Sequence, residues 1–142
     1  MTKTTVRIVC GILAIFVTML GMSACTQKTK PEYADQIAES ILLAINEDDY
    51  AKFSEHFDED MKKALPEDVF RQTYPGIKER IGNYVSKEFL EVEAEGPYTI
   101  VLYKARFTKE PADVKVRVVF REIEGKAYVS GLWLDSPRLF EQ

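Results

Sequence analysis

Side chains able to carry covalent or acid–base chemistry are sparse in this chain of 142 residues. There is one histidine, His56, and there are two cysteines, Cys10 and Cys25. That supply excludes a Cys/His zinc site and a disulfide framework. Two acidic clusters, Glu47-Asp48-Asp49 and Asp58-Glu59-Asp60, offer oxygens of the kind that Ca²⁺ gathers in a shell of about six to eight. Neither has the Asp-x-Asp-x-Asp-Gly spacing of a calcium loop. Carboxylates in such places also suit helix N-termini, so neither a metal nor another cofactor is expected. Gly-rich phosphate loops, Gly-x-Ser-x-Gly elbows and His-Glu-x-x-His motifs are missing from the sequence. Three groups remain as candidates for a pocket or its mouth. Tyr103 bears a proton within an apolar strand face, Asp135 stands at a strand end, and His56 lies beside an aromatic stripe. No catalytic constellation unites them, and the chain is read as a non-enzyme.

The net charge is −4 and the pI about 5.1, which argues against nucleic acid as a partner, since phosphate neutralisation needs clustered excess Lys and Arg. The charge is unevenly placed. A basic start, with Lys3 and Arg7, precedes an uncharged run from Ile8 to Ala24, and the polar stretch Thr26-Gln-Lys-Thr-Lys-Pro31 follows Cys25. A positive segment, an apolar segment and small residues before a cut site are the marks of a secretory signal. The end of this segment, Met22-Ser23-Ala24-Cys25, resembles the lipobox of prokaryotic lipoproteins, with Met22 where leucine is commoner. That resemblance implies cleavage before Cys25 and a diacylglyceryl group on its sulfur. Two acyl chains give stable membrane anchoring where one does not. The alternative is an uncleaved anchor, for which the 17 residues from Ile8 to Ala24 sit at the lower limit of a span. Either way the domain is expected outside the cytoplasmic membrane. The expected organisation is a signal peptide over 1–24, a tether over 25–31 and a domain over 32–142.

Beyond the tether the apolar period is helical and then changes to two. Ala34, Ile37, Ala38, Ile41, Leu42 and Ile45 share one face of a helix over Glu32–Ile45, which Pro31 opens. Tyr50, Phe53 and Phe57 predict a second helix with an aromatic packing face, and Asp58-Glu-Asp60 a short turn after it. Pro66 opens a third helix running to Ile81, which Pro75-Gly76 is expected to kink or break and Gly82-Asn83 to end. Strands are predicted over Tyr84–Glu93, Tyr98–Thr108, Asp113–Ile123 and Lys126–Asp135. Short turns between them dictate an antiparallel meander. Val101, Tyr103, Ala105 and Phe107, with Val114, Val116, Val118 and Phe120, form a face that only the helices can cover, an α+β fold. Lys104, Arg106, Lys115, Arg117 and Arg121 project from the opposite face.

Three N-terminal helices packed on a curved four-stranded antiparallel sheet resemble the cystatin-like cone, shared by nuclear transport factor, ketosteroid isomerase and scytalone dehydratase. The stretch Tyr33–Leu134 is similar to small secreted prokaryotic domains of that superfamily of unknown function. Ala44–Phe57, Gly82 and the closing Ala127–Ser136 strand carry the likeness. The resemblance implies a fold and no ligand. The functional expectation is a membrane-anchored extracytoplasmic lipoprotein, held through lipid on Cys25, whose domain binds a small apolar ligand or a protein partner without catalysis. Two alternatives stand beside it. One is an isomerase or dehydratase using a pocket in the cone at Tyr103, Asp135 or His56. The other is an accessory subunit that forms a homodimer through its sheet.

Overall fold

The computed structural model describes residues 29–140. The signal segment, Cys25 and most of the tether therefore lie outside the described residues. Within them, α1 (Glu32–Glu47), α2 (Tyr50–Phe53), α3 (Glu59–Ala64) and α4 (Glu67–Ile81) precede β1 (Tyr84–Glu95), β2 (Tyr98–Phe107), β3 (Val114–Ile123) and β4 (Lys126–Asp135), and a single turn, α5 (Pro137–Phe140), follows. The strands form one antiparallel sheet in the order β1-β2-β3-β4. The α+β class and the meander are as the sequence predicts. None of the described helices is long and apolar enough to cross a membrane.

The helical half departs from expectation in three places. The second helix stops at Phe53, not Phe57, and the expected turn at Asp58–Asp60 opens the separate helix α3. Side-chain capping explains both starts. Asp49 accepts a hydrogen bond from Lys52 N–H, and Asp58 accepts one from Met61 N–H at 2.8 Å, each relieving an orphan donor of a helix N-terminus. Finally, Pro75 does not break α4, which runs on to Ile81. Pro75 and Gly76 are exposed, so water can reach the carbonyl that the proline leaves without a donor.

Helices and sheet meet over one apolar core. The predicted face of α1 is buried from Ala34 to Ile45, as are Val101, Tyr103, Ala105 and Phe107 of β2 and Val114, Val116, Val118 and Phe120 of β3. Phe53 packs at the centre of an aromatic cluster, with ring centroids 4.6 Å from Phe70, 4.9 Å from Tyr74 and 5.0 Å from Phe57. The cluster fills the space beneath α1 and α4. The stripe predicted from Tyr50, Phe53 and Phe57 is thus a packing face, although the chain leaves the helix between the last two. At the far end of α1, Asn46 donates from Nδ2 to the Tyr84 carbonyl and accepts from Tyr84 N–H at 2.8 Å, tying the helix to the first strand.

The two sheet edges differ. Along β4, Asp58 N–H donates to the Val129 carbonyl and Val129 N–H to the His56 carbonyl, so the segment before α3 covers that edge. β1 is the open edge. It carries irregularities at Tyr84/Ser86 and Phe89/Glu91 and the outward carboxylates Glu88, Glu91, Glu93 and Glu95, devices that discourage edge-to-edge pairing.

A buried carboxylate closes the domain's C-terminal corner. Glu110, in the turn between β2 and β3, is 6% exposed. It accepts hydrogen bonds from Ser136 Oγ at 2.8 Å, Ala112 N–H and Arg138 N–H. Burial alone would raise its pKa. The hydrogen bonds from Ser136, Ala112 and Arg138, with the Arg138 charge, outweigh it and hold the carboxyl below its ordinary range. A lowered folded-state pKa contributes stability above the unfolded value, about 4.3, and that stability is lost as pH falls through the folded value. Glu110→Gln is therefore expected to lower the urea midpoint at pH 7 and to lower it by less at pH 3. A gap of the same size at both pH values would contradict this role.

Candidate functional site

The three pocket candidates from the sequence do not converge. Tyr103 is wholly buried on the inner face of β2, and its hydroxyl has no hydrogen-bond partner among the described residues. Asp135 ends β4 on the outer face, opposite Lys115. Tyr103 shares a row with Val116 and Leu134, and neighbours along a strand point to opposite faces, so Tyr103 and Asp135 are divided by the sheet. His56 lies in the segment along β4. It borders a shallow depression with Tyr33 and Lys126, and its Nε2 stands 3.9 Å from Glu55.

The polar group nearest Tyr103 is a charged cluster between α1 and β1. Lys87 Nζ lies 3.2 Å from Glu39 and 3.6 Å from Asp35, and sits over the Tyr103 ring. Tyr84 OH donates to Glu39 at 2.7 Å, and Lys30 donates to Asp35. Burial pushes up the pKa of Asp35, but the hydrogen bond from Lys30 and the charges of Lys87 and Lys30 prevail and lower it. The Tyr103 phenol is raised by burial and then by Asp35, so it stays protonated. The carboxylates of this cluster are engaged by cations, and Tyr103 is packed beneath the sheet.

The outer face carries open space among the described residues. A groove of about 530 Å³ runs over β2, β3 and β4 beside the start of α3. Its construction follows from register. On the outer face, Glu95, Tyr98 and Arg121 form one row, Glu93, Ile100, Val119 and Gly131 the next, and Glu91, Leu102, Arg117 and Trp133 a third. Ile100 and Val119 are 3% and 8% exposed, an apolar floor on the side of the sheet that faces away from the core. Pairing jumps from Val119↔Gly131 to Phe120↔Val129, which makes Ser130 the extra residue of a bulge. Trp133 is 52% exposed and lies against Gly131, where a Cβ would meet its ring at 2.4 Å. Only glycine leaves room for the indole to lie flat there.

The charged walls differ from each other. Asp58, 4% exposed, accepts from Arg121 at 3.0 Å and from Ser130 Oγ at 2.5 Å while capping α3. Arg121 is thereby neutralised. Arg117 has no carboxylate within ion-pairing distance among the described residues, and its guanidinium stacks 5.1 Å from the Trp133 ring centre. Stacking on the face leaves the edge of the planar fork free to donate. Asp60 and Glu95, at the opposite end, also lack cationic partners among the described residues and are exposed. The basic outer face is readable from strand alternation. Trp133, the chain's one tryptophan, is the available signal for a binding surface, because an indole on an outward strand position is a costly exposure.

Comparison with known proteins places the chain without assigning it a task. None of the curated proteins matches its sequence. A solution structure of a SEC-C motif containing protein from Rhodopseudomonas palustris superposes with a TM-score of 0.51 at 20% identity, over 70% of this chain and 77% of that one, a likeness of fold. A crystal structure of an NTF2-like protein of unknown function from Cytophaga hutchinsonii aligns at a TM-score of 0.40 and 14% identity, over 80% of this chain and 99% of that one. The sequence pattern described as "Protein of unknown function (DUF3887)" matches residues 38–125, from the middle of α1 to the β3–β4 turn. That match spans more than half of the chain, and the protein belongs to the DUF3887 family.

Proposed function

We propose that the chain is a membrane-anchored extracytoplasmic lipoprotein whose domain, a cystatin-like cone of the nuclear-transport-factor-like kind, binds a ligand or protein partner on its outer sheet face and performs no catalysis. One observation carries the binding half. The space between helices and sheet is filled by Phe53, Phe57, Phe70, Tyr103 and Phe120, each under 2% exposed, while the groove and the half-exposed Trp133 lie outside. Enzymes of the cone type need a substrate-sized interior with a shifted acid or base. The isomerase-like alternative draws support from the unpartnered Tyr103 hydroxyl beside Asp35 and Lys87. Against it stands the complete burial of Tyr103. Dimerisation through β1 would bring its row of glutamates against the same row of a second copy, and like charges facing each other across strands are destabilising.

The anchoring half rests on the order of charge, apolar run, small residues and Cys25. In a bacterial host, the parent chain is expected in the membrane fraction with the mass of the form cut before Cys25 plus its lipid. Cys25→Ser is expected to lose that modification and the processing coupled to it. A Cys25→Ser chain that behaves identically to the parent, both at full unmodified mass, would contradict lipid anchoring.

A further inference from the structure

Charge and length along the groove narrow its ligand, an inference that rests on the outer-face reading above. The row that holds Glu95, Tyr98 and Arg121 lies four residues of strand from the row of Arg117, about 13 Å measured along the strands. At the Arg121 end the local charge is negative, since Asp58 neutralises Arg121 and Glu95 and Asp60 remain. At the other end Arg117 presents a free guanidinium edge, braced by the Trp133 indole. Lys115, two residues along β3, stands opposite Asp135, so Arg117 sets the positive pole. Between the poles lies the apolar floor of Ile100 and Val119. The groove is therefore a dipole with an apolar middle.

A simple anion would be repelled at one end and a simple cation at the other. A wholly apolar ligand would leave both poles desolvated and unpaired, at a cost. The complement is a zwitterion with its charges at least about 13 Å apart and an apolar body, and an extended chain of four residues or more spans that distance. We propose that the groove binds a short linear peptide with free termini. Its carboxylate sits on Arg117, its amine faces Glu95 and Asp60, and an apolar side chain packs on Ile100 and Val119 beside Trp133. Arg117 suits this task because a guanidinium grips a carboxylate through two parallel N–H···O bonds.

The test uses the full chain in detergent micelles and the tetrapeptide Ala-Phe-Leu-Ala, read by the emission of Trp133, the chain's only indole. The free peptide is expected to give a saturable change. Amidating its C-terminus should weaken binding about tenfold or more, the weight of a charge-assisted hydrogen bond, and acetylating its N-terminus by a smaller factor. Arg117→Gln should weaken the free peptide about tenfold and leave the amidated one unchanged. Arg117 is exposed on a strand, and an unchanged thermal transition would verify the fold. If amidated and acetylated peptides bind as tightly as the free one, the dipolar assignment is overturned while the groove keeps its binding role. If none of the three peptides gives a saturable change, and equilibrium dialysis agrees, the peptide proposal is overturned outright. Binding of all three to the Trp133→Ala chain with parental affinity by dialysis would overturn the outer-face reading as well.

Discussion

Gly82→Ala is expected to cost about 3–5 kcal/mol of stability, the sum of backbone strain and overpacking, measured as a fall in the urea midpoint. Gly82 follows α4 with φ +83° and ψ −158°, a region essentially closed to residues with a Cβ. An added Cβ would stand 2.1 Å from Thr108 Oγ1 and 2.8 Å from Lys109 N. The second neighbour is backbone and cannot rotate aside. That backbone is also committed, because Lys109 N–H donates to the Ile81 carbonyl and Thr108 N–H to the Asn83 carbonyl, both at 2.9 Å. These bonds stitch the exit of α4 to the end of β2. Gly76→Ala is the internal contrast. Gly76 lies within α4 and is exposed, and a Cβ added there would meet nothing within 4 Å. That substitution is expected to stabilise by up to about 1 kcal/mol. Equal effects of the two would contradict the role given to Gly82.

The second large effect is expected at Asp58. Asp58→Ala removes the cap of α3, worth about 1 kcal/mol, and strips Arg121 of its partner in a poorly solvated position. Breaking a buried pair from one side costs about 3–5 kcal/mol. Arg121 is 29% exposed, which places the expected total near the lower figure, about 3 kcal/mol. Arg121 Nε is buried without a partner already. Replacing Arg121 by Met in the Asp58→Ala background should recover part of the loss, since the stranded charge goes with it. Strict additivity of the two substitutions in urea unfolding would show that they do not act as a pair. Because Asp58 also holds α3 against the bulge at Ser130, the same substitution should loosen the acidic end of the groove.

These two residues show which parts of the fold are legible in a sequence. Gly82 is readable as a helix stop, because a glycine between an amphipathic helix and an alternating strand has a local meaning. Its contact with Thr108 and Lys109, 26 and 27 positions on, does not. Asp58 is readable only as part of an acidic cluster beginning a turn. Its burial depends on Arg121, 63 positions away, and Ser130, 72 away, and no periodicity encodes such pairings. The inner sheet face is legible because alternation over β2 and β3 is regular. The groove is not, because it depends on the break in alternation at Ser130 that sets Gly131 and Trp133 on the outer face. Likewise, Tyr103, Asp135 and His56 stand out in the sequence for their chemistry one at a time. The strand pleat and the path along β4 keep them apart.

On the proposed reading, ligands meet this domain on the outer sheet face while its interior stays closed. The most direct measurement is an amide chemical-shift map of the full chain in micelles, titrated with Ala-Phe-Leu-Ala. The largest shifts are expected at Ile100, Arg117, Val119, Gly131 and Trp133, with the interior residues Phe53, Phe70 and Tyr103 unmoved. Shifts centred on Phe53, Phe70 and Tyr103, with the outer rows silent, would contradict it.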